Sequence, residues 1–81
     1  MNWNYRVIHH DVNEDPEYHF FSIHEVFYDD YGQITSWTEN SVGPYGEAMI
    51  ELEDNHQLMA RAFDKPRLSL KELEASIAVG E

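Results

Sequence analysis

Cysteine is absent from the chain. That excludes disulfides, thiolate zinc sites and a cysteine nucleophile, and it is the usage expected of a reducing compartment. Cations are scarce: five Lys and Arg stand against sixteen Asp and Glu, for a net charge of −11. After Arg6 no Lys or Arg occurs until Arg61, and twelve carboxylates fall in that interval. From Arg61 onward four cations meet four carboxylates and cancel. The negative charge therefore belongs to the part of the chain before Arg61. Nucleic acids and anionic membranes are bound through Lys and Arg, so neither is an expected partner. Long hydrophobic runs are also missing, and no stretch approaches the roughly 20 apolar residues of a membrane span. The opening MNWNYRVIHH has no basic start followed by an apolar run, so it does not read as a secretory signal. The expectation is a soluble, cytoplasmic protein.

What is present supports a folded domain. The chain has 81 residues, 42% of them hydrophobic, and carries eleven aromatic side chains. That length suits one domain, residues 1–81, with a small core. Trp3 to His9 reads as a strand, with Trp3, Tyr5 and Val7 on one face and Asn4, Arg6 and Ile8 on the other. The polar HDVNEDPEY that follows is a loop. His19 to Tyr28 is a second strand, rich in aromatic and branched residues. DDYGQ is a turn, with Gly32 at a position suited to positive φ. Ile34 to Glu39 is a third strand, so the sheet spans residues 3–39. NSVGPYG breaks the sheet, and the period then becomes helical over residues 47–63. At about 100° per residue, Ala48, Leu52, Met59 and Phe63 fall within one arc, with Met49 and His56 at its edge. Pro66 ends this helix. Ser69 and Glu72 form a capping-box pattern ahead of a short helix over residues 69–78, with Leu70, Leu73 and Ile77 as its apolar stripe. The expected fold is α+β: a three-stranded antiparallel meander, one principal helix packed on one face, and a short C-terminal helix, in the order β-β-β-α-α.

WNYRV at Trp3–Val7, IHEVFYD at Ile23–Asp29 with Gly32 and a Thr after it, Pro44 and Gly46, GEAMIEL, and A-x-x-K-P-x-L at Ala62–Leu68 occur in this order. Together they resemble a group of short, acidic bacterial and phage-type proteins, over roughly Trp3 to Leu68. The resemblance implies an autonomous small domain. It brings no catalytic residue, because the group carries no established activity. The chain departs from the group after its first strand, where HDVNEDPEY replaces a brief DG-type turn.

Candidate chemistry is sparse. His24-Glu25 suggests a zinc hydrolase pair, but that motif needs a second His four residues on, and Tyr28 stands there. Neighbours on a strand also point to opposite faces. A metal site could form if His9 and His19 approach across paired strands, with Asp11 or Glu17 supplying an oxygen. His56 reads as a boundary histidine. Asp29, Asp30 and Gly32 lack the ligand pattern of a calcium loop and are explained as turn residues. Ser22, Ser36 and Ser41 have no nucleophile motif around them. No catalytic residue and no cofactor is expected.

The second strand is apolar on both faces: Phe21, Ile23 and Phe27 on one, Phe20, Val26 and Tyr28 beside His24 on the other. One helix covers one face. The other needs the C-terminal helix, a second copy through a sheet face or edge, or a partner. The functional expectation is a non-enzymatic interaction module binding a basic protein surface. Phe20, Val26, Tyr28, Trp37, Asp29, Asp30 and Glu39 are the candidate contacts. A sharper form is an acidic mimic of nucleic-acid phosphates, as among phage inhibitors of host nucleases and anti-CRISPR proteins. The alternative, from a different class, is a small His/carboxylate metal protein or metal-dependent enzyme.

Overall fold

A computed structural model describes residues 2–79, with side chains through residue 76. Met1, Gly80, Glu81 and the Ile77 side chain of the expected apolar stripe lie outside the described residues. The architecture is α+β. Strands β1 (Asn2–His10), β2 (Phe20–Tyr28), β3 (Ile34–Trp37) and β4 (Leu68–Ser69) form one sheet in the order β3-β2-β1-β4. Helices α1 (Met49–Ala60) and α2 (Leu70–Val79) pack against it. The expected three-stranded meander and the order β-β-β-α-α are corrected: a fourth strand lies between the two helices in the chain, giving β-β-β-α-β-α. β4 pairs parallel with β1, at Ile8↔Leu68 and His9↔Ser69, which makes the sheet mixed rather than antiparallel.

The loop after β1 contains a short 3-10 turn at Pro16–Tyr18, started by the Asp15 carboxylate accepting from the Glu17 amide. Asp29 organises the β2–β3 turn. Its Oδ1 accepts from the Tyr31 and Gln33 amides, each at 2.9 Å, and Gly32 takes φ 80°. Positive φ costs glycine little. After β3 the chain keeps following β2: Thr38 N–H donates to the Glu25 carbonyl and Val42 N–H to that of Ile23.

The β1–β2 register sorts the sheet into two faces. Asn4, Arg6, Ile8 and His10 share one with Tyr28, Val26, His24 and Ser22. Tyr5, Val7 and His9 share the other with Glu25, Ile23 and Phe21. α2 covers the first face, where Leu73 joins Ile8 and Val26 in a buried cluster and Tyr28, Ile34, Trp37, Leu68 and Leu70 pack around it. α1 lies over the second, with Met59 buried and Asn55 Nδ2 donating to the Tyr5 hydroxyl at 3.3 Å. Each face therefore carries a helix, and the C-terminal helix is what covers the face of Ile8, His24 and Val26.

The end of α1 corrects the expected apolar arc. The α-helix stops at Ala60 and a 3-10 turn follows over Arg61–Asp64. In 3-10 geometry residues three apart eclipse. Ala62 is thus aligned with Met59 and fully buried, and Phe63 is turned out to 71% exposure. At the other end Ala48 is exposed too, leaving Leu52, Asn55 and Met59 as the inward residues.

Candidate functional site

Arg6 is the one strong cation before Arg61, and its role is internal. Nη1 donates to the Tyr28 hydroxyl at 3.0 Å and Nη2 to the Pro66 carbonyl at 2.8 Å. The Tyr28 hydroxyl donates in turn to Asn4 Oδ1 at 2.8 Å. This network ties β1 and β2 to the segment that leads into β4. Arg6 Nε is buried without a partner among the described residues.

The proposed contact residues separate on this geometry. Val26 is fully buried, so it is a core residue and its place among the contacts is corrected: Leu73 of α2 packs over it. Tyr28 and Trp37 are half-buried against the same cluster. Asp29 is held by its turn. Phe20, Asp30 and Glu39 are exposed.

The expected metal group does not assemble. Among the described residues no three of His, Cys, Asp and Glu converge on a metal position. His9 and His19 do approach, edge to face, with ring centroids 5.1 Å apart. His19 Nε2, however, donates to the Asn13 carbonyl at 2.7 Å, and His9 stacks on Phe21. Asp11 serves α2 instead. Its carboxylate accepts from the Ser69 hydroxyl and, at 2.9 Å, from the Lys71 amide. Ser69 also caps the helix by accepting from the Glu72 amide at 3.2 Å. The Ser69 bond, then the Lys71 bond, hold the Asp11 carboxyl below its ordinary range. Glu17 is exposed.

The histidines that do meet are His10 and His24. His24 is 1% exposed, facing α2's side of the sheet, and Glu25 points the other way. His24 Nδ1 lies 2.8 Å from the Thr38 carbonyl, which can only accept, so Nδ1 carries the proton. Its Nε2 therefore presents a lone pair. Ser22 Oγ lies 2.8 Å from that nitrogen, and His10 Nε2 lies 3.0 Å from it and 2.8 Å from Ser22 Oγ. Phe20 stacks flat on His10, centroids 4.2 Å apart. Burial, and then the neighbouring His24, push the His10 pKa down. Sequence reading passes over this cluster because its members lie on different strands. The signal available was parity: His10, Ser22 and His24 occupy positions that antiparallel pairing puts on one face.

Among the described residues the exposed surface includes two apolar zones with charged borders. Met49 and Ile50, at the start of α1, are 69% and 68% exposed. Glu53 and Asp54 stand one helical turn further on the same faces, and Glu47 and Glu51 complete a rim. Glu51 also steadies the helix start by accepting from the Glu47 amide at 3.1 Å. His56 is exposed and borders a groove with Ile23, Val42, Pro44 and Met59. The second zone is of opposite sign. Phe21 and Phe63 border a groove with Lys65 and Arg67, and the Arg67 guanidinium sits 5.6 Å from the Phe21 ring centroid.

The class so defined is a small mixed-sheet α+β domain with a helix on each face, and no described helix is long and apolar enough to cross a membrane. Comparison with protein-family models, curated proteins and solved structures finds no match to this chain.

Proposed function

We propose that the chain is a non-enzymatic, acidic protein-interaction module that binds a basic protein surface, chiefly through the first half of α1. The observation that carries this reading is the exposure of Met49 and Ile50 inside a rim of Glu47, Glu51, Glu53 and Asp54. An apolar centre with a polar rim is the anatomy of a protein interface. Its one-sided charge steers a basic partner and disfavours an acidic one. The cations that offset acid elsewhere cluster after α1, at Arg61, Lys65 and Arg67. Exposed Phe20 and Glu39 are secondary contacts. Carboxylates also sit on α2, Glu72 and Glu74, across the sheet from α1. That distribution favours a local acidic patch over a single phosphate-like row.

The test is capture of cellular proteins by the wild-type chain and by two variants, Met49→Ser/Ile50→Ser and Glu51→Gln/Asp54→Asn. Circular dichroism checks that each variant folds. Wild type should retain a basic protein, and retention should fall as salt screens the rim. Both variants should lose it. Equal capture by all three, or capture indifferent to salt, overturns the reading.

A further inference from the structure

We propose that His10, Ser22 and His24 form a binding site for a first-row divalent metal ion of the imidazole-preferring kind, with Zn²⁺ as the reference ion. The two Nε2 atoms are 3.0 Å apart, and Ser22 Oγ is 2.8 Å from each. Two nitrogens bound to one zinc at about 2.0–2.1 Å are separated by about 2.8–3.4 Å for bond angles near 90–110°. The strands hold the nitrogens within that range. Imidazole nitrogen suits zinc, nickel and copper, and the Ser22 hydroxyl oxygen stands beside both nitrogens as a weaker, neutral third donor.

The Thr38 carbonyl supplies the independent support. It accepts from His24 Nδ1 at 2.8 Å, which fixes both the tautomer and the ring plane and leaves Nε2 free to donate its lone pair inward. A metal-ligating His is ordinarily oriented in this way, through its other ring nitrogen. His24 is locked because it is buried and because Thr38 belongs to the segment that follows β3 along β2. His10 sits on β1, steadied by the Phe20 ring lying against it. It is partly exposed, as is Ser22, so an ion reaches the site from their side. Binding leaves the His24 proton where it is. On binding, His10 takes the tautomer with its proton on Nδ1, which frees Nε2 to offer its lone pair. Three protein donors leave an open position for water or for a ligand brought by another molecule. The site is distinct from the α1 surface, which lies over the opposite face of the sheet.

The test uses the untagged full chain. Zn²⁺ is titrated calorimetrically, and Co²⁺ is added separately for its visible ligand-field bands. One ion per chain is expected, with the Co²⁺ bands intense enough to mark low-symmetry nitrogen and oxygen coordination. His10→Gln should weaken binding by roughly a hundredfold or more, beyond the 10–100-fold typical of losing a supporting partner. His9→Gln should leave it unchanged. His24→Gln should also abolish binding, but its site is buried. His10→Gln, at a partly exposed position, keeps the test decisive if that variant does not fold. Absence of binding at millimolar Zn²⁺ overturns the proposal. So does an affinity that His10→Gln leaves intact, which would place the ion elsewhere on the chain.

Discussion

Asp11, at the end of β1, holds the N-terminus of α2: its Oδ1 accepts from the Lys71 amide at 2.9 Å, and its Oδ2 accepts from the Ser69 hydroxyl that caps the same helix. A carboxylate there meets unpaired amides and the positive end of the helix dipole. Asp11→Ala should therefore loosen α2. Amide exchange in residues 70–76 should speed up, with the β1–β2 ladder less affected. The carboxyl's pKa is lowered in the folded chain, first by Ser69 and then by Lys71, with His9 Nδ1 3.8 Å away adding in the same direction. Its stabilisation is thus present above the ordinary carboxylate range and is lost as pH falls through the lowered value. Wild type should lose α2 protection under acid, and Asp11→Ala should show a flatter dependence.

Gly46 is fixed by close approach. A Cβ there would lie 2.3 Å from the Leu52 amide nitrogen and 2.7 Å from the Glu51 carbonyl carbon, both backbone atoms. Gly46→Ala should force the segment before α1 off the helix and cost about 1–3 kcal/mol, the usual cost of overpacking. Urea denaturation measures it. Gly43, whose added Cβ meets nothing within 4 Å, should tolerate alanine far better.

The 3-10 turn after α1 exchanges the roles of neighbours. Ala62 is fully buried and Phe63 is 71% exposed. Ala62→Leu should therefore destabilise by about 1–3 kcal/mol. Phe63→Ser should stay within about 0.5 kcal/mol of wild type, as surface changes do. Equilibrium unfolding of the two variants checks the pair. An uninterrupted α-helix would give the reverse order.

The first three strands are legible in the chain because branched and aromatic residues and the DDYGQ turn agree with one another, though the third ends at Trp37 rather than Glu39. β4 is not, because two residues, Leu68 and Ser69, carry no periodicity. Their pairing depends on Arg6 reaching the Pro66 carbonyl and on Ile8 lying opposite. α1 reads too long by its last turn, since an arc drawn at one fixed angle per residue cannot register a change to 3-10 winding. For the same reason Phe63 reads as core. The S-x-x-E cap at Ser69 is legible, but its second partner, Asp11, is far away in sequence and reads as a loop carboxylate available to a metal. His24 is visible as a residue on one sheet face. Its meeting with His10 requires the register, which follows from Arg6↔His24 and His10↔Phe20 once the strands pair.

The parallel pairing of β4 with β1 orders events during synthesis. β1 and β2, which carry Ile8 and Val26, can pair into a sheet once both have left the ribosome. Their cover, Leu68 to Leu73, is made last, and the Arg6–Pro66 contact that guides it spans 60 residues. Until that cover arrives the α2 side of the sheet is bare apolar surface, and loop closure of that length must precede its burial. The strongly acidic segment between Arg6 and Arg61 emerges in that same interval. Like charge in that segment disfavours contact between unfinished chains before the C-terminal helix is in place.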